Sequence, residues 1–224
     1  MESILNYLNA LQENNNREWY HSHKKEHQTV NERFLELIQS LIISIGETDS
    51  SILHCIPKEL TFKLVRDTRF SNDKSPYNPS FRAHISSAGK LPIPVGYFIM
   101  IKPGNNSFIG GGLFADMFKD ATAMVRDYIT NNGKEFEKVI SAPEFTKYFE
   151  VKGTALKKVP AGYDVSHPQA EYLKNKSWYV EYPVSDNELL DKDFIVKATE
   201  VFTAMQPFNN YLNTALKDFK MPER

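Results

Sequence analysis

Along the first fifty residues, apolar side chains recur every three or four positions. Ile4, Leu5, Leu8 and Leu11 line one face of a short helix. Asn14-Asn15-Asn16 interrupts it, and Asn15 with Glu18 three residues on matches a capping box. Val30, Phe34, Leu37, Ile38, Leu41 and Ile45 then hold helical spacing, which predicts one long helix to about Ile45, ending at Gly46. In the middle of the chain the period changes. Phe62 and Leu64 alternate with Lys63 and Val65, and Phe81, Ala83 and Ile85 alternate with Arg82, His84 and Ser86. Val95 to Ile101 is a β-branched and aromatic run, and Ser107 to Phe114 is a fourth strand candidate.

Helical spacing returns at Phe118, Ala121, Val125, Tyr128 and Ile129 and stops near Gly133. Two short helices follow, one from Asn132 with Glu135 and one at Ser141 with Pro143 in the first helical position. Strand character reappears near Val151 and over Ser177 to Val184, with a turn at His167-Pro168 between them. Ser185 with Glu188 caps a last helical region whose apolar face is Phe194, Ile195, Ala198, Val201, Phe202 and Met205. Pro207 is expected to kink or restart that helix. There is no strict strand–helix alternation and no repeat. The fold expected is therefore α+β, one domain over residues 1–224, with helices from the N- and C-terminal regions packed on a mostly antiparallel central sheet.

Composition narrows the function classes. In 224 residues, 41% hydrophobic and 25% charged content is ordinary for a globular chain, which excludes disordered and fibrous classes. A net charge of -1 argues against a general nucleic-acid or membrane-surface binder. Cys55 is the single cysteine, so neither an internal disulfide nor a cysteine-based zinc cluster is available. With no signal-peptide pattern and no long apolar run, a cytoplasmic location is expected.

The densest chemistry is Arg66-Asp67-Thr68-Arg69-Phe70-Ser71-Asn72-Asp73-Lys74-Ser75-Pro76-Tyr77. Arg66 and Arg69 carry planar forks suited to carboxylate or phosphate, and Lys74 adds a point charge. Asp67 and Asp73 would orient these cations or act as acid and base, and Tyr77 would hydrogen-bond a ligand. Two carboxylates fall short of a metal ligand set. The competing reading is a salt-bridged loop that joins the sheet edge to the long helix. Gly110-Gly111-Gly112 reads either as tight strand packing or, through Gly111, as backbone lining the same pocket. His167 either begins a short helix or, folded over the central motif, serves as general acid or base. Trp178 either packs in the core or stacks on a ligand ring. His23-Lys24-Lys25-Glu26-His27 has the spacing of an inverted zinc-peptidase motif but reads as a solvated helix face.

Asn15-Asn16-Arg17-Glu18-Trp19, Lys24, the central motif, Leu156-Lys157 with Val159-Pro160 and Gly162-Tyr163, His167-Pro168, Leu173 and Lys176-Ser177 resemble the signature of the domain-of-unknown-function 2461 family. The resemblance implies one intact domain of a family of conserved hypothetical proteins, without a reaction. One departure is Asn78, where the family usually has lysine after Pro-Tyr. The expected function is binding of a phosphate- or carboxylate-bearing small molecule, with catalysis left open. The alternative is a non-catalytic peptide-, protein- or nucleic-acid-binding module in which the charged motif is a structural ion-pair network. No motif identifies a cofactor, and the oligomeric state is not legible.

Overall fold

A computed structural model describes residues 1–222. The chain opens with α1 (Glu2–Glu13), α2 (Arg17–Ser22) and α3 (Lys24–Gly46), then a 3-10 turn at Ser50–Ile52 and α4 (Pro57–Leu60). Strands β1 (Phe81–Ile85), β2 (Tyr97–Ile101) and β3 (Ser107–Leu113) follow. Helices α5 (Lys119–Asn131), α6 (Gly133–Ile140), α7 (Pro143–Thr146) and α8 (Ala170–Leu173) lead to β4 (Trp178–Val184). The chain closes with α9 (Asp186–Leu190) and α10 (Phe194–Ala215). The sheet order is β1-β2-β3-β4 with every neighbouring pair antiparallel, so the fold is α+β.

Register assigns the two faces. Phe81, Ala83 and Ile85 share one face with Tyr97, Ile99, Ile101, Ile109 and Gly111, and these residues are buried. Helix α10 lies across β3 on that face and packs on α3. A Cβ at Gly111 would stand 2.6 Å from Met205 Sδ and 2.8 Å from the Gly96 carbonyl oxygen, so the glycine admits the helix. Gly112 has φ +94, a conformation glycine adopts without strain.

Two asparagines fasten the chain ends to the middle. Asn15 Nδ2 donates to the Tyr77 carbonyl at 2.9 Å while Tyr77 N–H donates to Asn15 Oδ1 at 3.1 Å. Asn213 grips Val95 in the same way, at 3.0 and 2.8 Å. A carboxamide carries the donor and acceptor of a peptide group, so each satisfies one residue's backbone.

Several local expectations are corrected. Asn16, not Asn15, caps α2, accepting from Trp19 N–H at 2.9 Å. The long helix is two, because His23 leaves helical geometry (φ -101, ψ 20) and its ring stacks on Trp19 at 4.0 Å. Phe62 to Val65 is not a strand. The chain forms one bridge with β1 just before it, Thr61↔Ala83, and Phe62 N–H donates to the Arg82 carbonyl at 3.0 Å before the backbone turns away into the charged loop. Near Val151 only the bridge Lys152↔Tyr179 forms. Helix α10 runs through Pro207 without restarting, since Phe202, Met205, Phe208 and Leu212 on both sides are buried. The Ser185–Glu188 capping box forms as read.

Candidate functional site

The charged motif is a hairpin standing at the β1 edge. Arg66 N–H donates to the Pro76 carbonyl at 2.9 Å, Asn78 N–H to the Leu64 carbonyl at 2.7 Å, and Val65 bridges Tyr77. Inside it the charges pair with one another. Arg66 forms an ion pair with Asp73 and donates to Ser71 Oγ at 3.2 Å. Arg69 grips Asp67 through Nε and Nη2 at 3.0 and 2.6 Å, and Lys74 donates to the Thr68 carbonyl at 3.0 Å. Hydrogen bonds from Arg69 hold the Asp67 carboxyl below its ordinary range, and those from Ser75 and Arg66 do the same for Asp73. Tyr77 is buried, stacked on Tyr20 at 4.1 Å. Phe70, at the tip, is 95% exposed.

The other sequence candidates lie elsewhere. Gly111 faces α10 rather than the hairpin. Trp178 is buried at the start of β4, its Nε1–H donating to the Tyr172 carbonyl at 3.0 Å. His167 sits at the α5–α6 junction, where its Nδ1 accepts from Gln169 N–H at 3.0 Å. That bond leaves the proton on Nε2, which meets the Thr130 carbonyl at 3.2 Å. Both ring nitrogens are therefore engaged with backbone. His167 precedes α8 instead of beginning it. Among the described residues no group of three or more His, Cys, Asp or Glu is placed to hold a metal ion.

The second face of the sheet carries what periodicity alone passed over. Its outward positions are Arg82, His84, Phe98, Met100, Phe108, Tyr179 and Glu181. A sheet solvated on one side places polar residues there, yet most of these are apolar or aromatic. Three connecting segments rise around them and bring Phe62, Lys90 with Pro92, and Phe114 to the edge of a cavity of about 380 Å³. Phe98 is the hub, with ring centroids 5.5 Å from Phe108, 5.8 Å from Phe114 and 6.3 Å from Phe62. Phe114 stacks on Tyr179 at 4.6 Å.

Polar groups are few and placed around this apolar lining. His84 is buried, and desolvation pushes its pKa down to about 4 although the backbone of Leu91 and Lys90 pulls it upward. Its imidazole is therefore neutral at neutral pH. Lys90 is exposed at the rim, its Nζ donating to the Thr61 carbonyl at 3.3 Å. Glu181 is held by Lys152 at 3.0 Å. The Arg82 guanidinium lies over the Phe62 ring at 5.6 Å and donates to the Lys63 carbonyl, while its buried Nε has no partner.

A larger groove of about 780 Å³ lies between α6, α7 and α10. Its rim is internally neutralised: Glu200 accepts from Tyr148 and from Lys147 at 2.9 Å, which lowers its pKa to about 2. Neither cavity is lined by a residue of the charged hairpin. The signal that would have located the aromatic cavity is the placement of Phe98 and Phe108 on alternate positions that a one-sided sheet leaves polar.

No helix among the described residues is long and apolar enough to cross a membrane. No curated protein and no solved structure matches the chain. The family model described as "Conserved hypothetical protein (DUF2461)" matches residues 3–211, so the chain belongs to the DUF2461 family.

Proposed function

We propose that this protein binds a small organic anion that carries a planar apolar ring, and that the site is the aromatic cavity on the open face of the sheet. The observation that carries the reading is the coincidence of a concave lining made by Phe62, Phe98, Phe108 and Phe114 with one exposed cation, Lys90, at its rim. Ligand sites combine an apolar enclosure with a few convergent polar groups, and this cavity has that composition. The ring would stack against Phe98 and Phe114, Lys90 would meet the carboxylate or phosphate, and neutral His84 would offer a hydrogen bond beneath. In this reading the hairpin cations act within the fold, since Arg66 and Arg69 already bind carboxylates of their own loop.

Thermal shift tests it with phenyl phosphate and naphthoate against inorganic phosphate and acetate. The aromatic anions should raise the melting temperature, the small anions should not, and Phe98→Ala should lose the rise. An equal rise in Phe98→Ala, or none with either aromatic anion, removes the cavity as the site. One feature favours a second reading, a non-catalytic protein-binding module: the exposed Phe70 ring at the hairpin tip.

A further inference from the structure

Where α10 meets the β1–β2 connection, a cavity of about 60 Å³ is lined mostly by polar side chains. Asn209 and Asn213 reach it from α10, Ser86 from the connection, Tyr97 from β2, and Asp49 and Ser51 from the 3-10 turn. It shares no lining residue with the aromatic cavity. The side-chain donors around it are already engaged. Ser51 N–H and Oγ–H go to Asp49 Oδ1 at 3.1 and 2.6 Å, and the Tyr97 hydroxyl goes to Asp49 Oδ2 at 2.8 Å. Ser86 Oγ donates to the Gly89 carbonyl at 2.9 Å. Asn213 Nδ2 donates to the Val95 carbonyl and Asn209 Nδ2 to the Gly96 carbonyl, each at 3.0 Å.

What remains is acceptors and negative charge. Asn209 is 3% exposed, and its Oδ1 has no hydrogen-bond partner. Asp49 enters no ion pair among the described residues, and no Lys, Arg or His lines the cavity. Burial, and after it the Asp49 charge, push the Tyr97 hydroxyl and the Cys55 thiol upward, which marks the local field as negative. An anion would meet engaged donors and a carboxylate. Water would fill the acceptors but leave the Asp49 charge uncompensated, and charges withdrawn from water are ordinarily paired. A divalent ion calls for more carboxylates than the single one present. Size closes the choice: a water needs about 10–15 Å³ of such space, so about 60 Å³ takes one small ion with at most a few waters. Potassium and ammonium shed water more readily than sodium, which suits a site of one charge and neutral oxygens.

We propose that this cavity binds one monovalent cation of potassium or ammonium size through the Asp49 carboxylate and Asn209 Oδ1, joining α10 to the 3-10 turn. Neither Lys90 nor a ring of the aromatic cavity enters the site, so loss of either reading leaves the other standing. Thermal melting of the full chain in potassium, ammonium, sodium and choline chlorides at equal ionic strength tests it. Potassium or ammonium should raise the melting temperature saturably above sodium, and choline, too large to enter, should give the lowest value. The larger of the two rises tells ammonium from potassium. Asp49→Asn should need about tenfold more of the favoured salt for half the rise. Equal melting in all four salts, a rise with sodium alone, or an unchanged half-saturation in a folded Asp49→Asn overturns the proposal. Wild-type crystals soaked in rubidium chloride give a reading free of any variant. An anomalous peak between Asp49 and Asn209 is expected, and water alone at that position overturns the site even if Asp49→Asn fails to fold.

Discussion

His84 titrates against its own burial. Its pKa in the folded chain is lowered to about 4, while an exposed histidine titrates at about 6.5. Between these values the unfolded chain binds a proton that the native chain does not, so the stability is present above about pH 6.5 and is lost as pH falls toward 4. The size is roughly 3 kcal/mol. His27, also lowered by burial, adds to the same slope. Urea denaturation near pH 7 and near pH 4.5 should show this loss in wild type and a smaller one in His84→Gln. Equal losses would place the effect elsewhere. The hairpin carboxylates Asp67 and Asp73 are also depressed, and what they contribute is lost only below the ordinary carboxylate range. Gly111 sets the packing distance of α10: Gly111→Ala should cost about 1–3 kcal/mol by denaturant midpoint, because its Cβ meets Met205, Gly96 and Asn209.

At the scale of elements, what the chain declares locally is recovered and what needs a distant partner is not. The apolar faces of α3 and α10 follow from residues three and four apart, and the Ser185–Glu188 box lies within one turn. Ser185→Ala should therefore cost about 1 kcal/mol, measurable as a lowered midpoint. Asn15 shows the opposite case. Its spacing to Glu18 suggests a cap, yet its partner is Tyr77, 62 residues away, and no local pattern announces that bond. Losing both bonds to the Tyr77 backbone in Asn15→Ala should cost roughly 1–3 kcal/mol. Phe62 likewise alternates like a strand residue, but only the bridge Thr61↔Ala83 forms before the chain leaves β1. The charged motif was visible as a concentration of chemistry. That its cations are satisfied within the motif depends on hairpin closure, which composition does not encode.

Across the whole molecule, the two sheet faces divide the labour: one is sealed by α3 and α10, and the other stays open and aromatic, walled by loops. The sheet and its helical cover are legible from hydrophobic period. The cavity is not, because Phe62, Lys90, Phe98, Phe114 and Glu181 come from five separate segments and meet only after folding. If the open face is the ligand site, Arg69→Ala should leave both the melting temperature and any aromatic-anion shift unchanged, since Arg69 bonds its own loop in the open. The most direct measurement is a fluorescence titration with anilinonaphthalene sulfonate, an aromatic anion. The account predicts saturable single-site binding in wild type, loss in Phe98→Ala and about tenfold weakening in Lys90→Met. Identical titrations in all three proteins would contradict it.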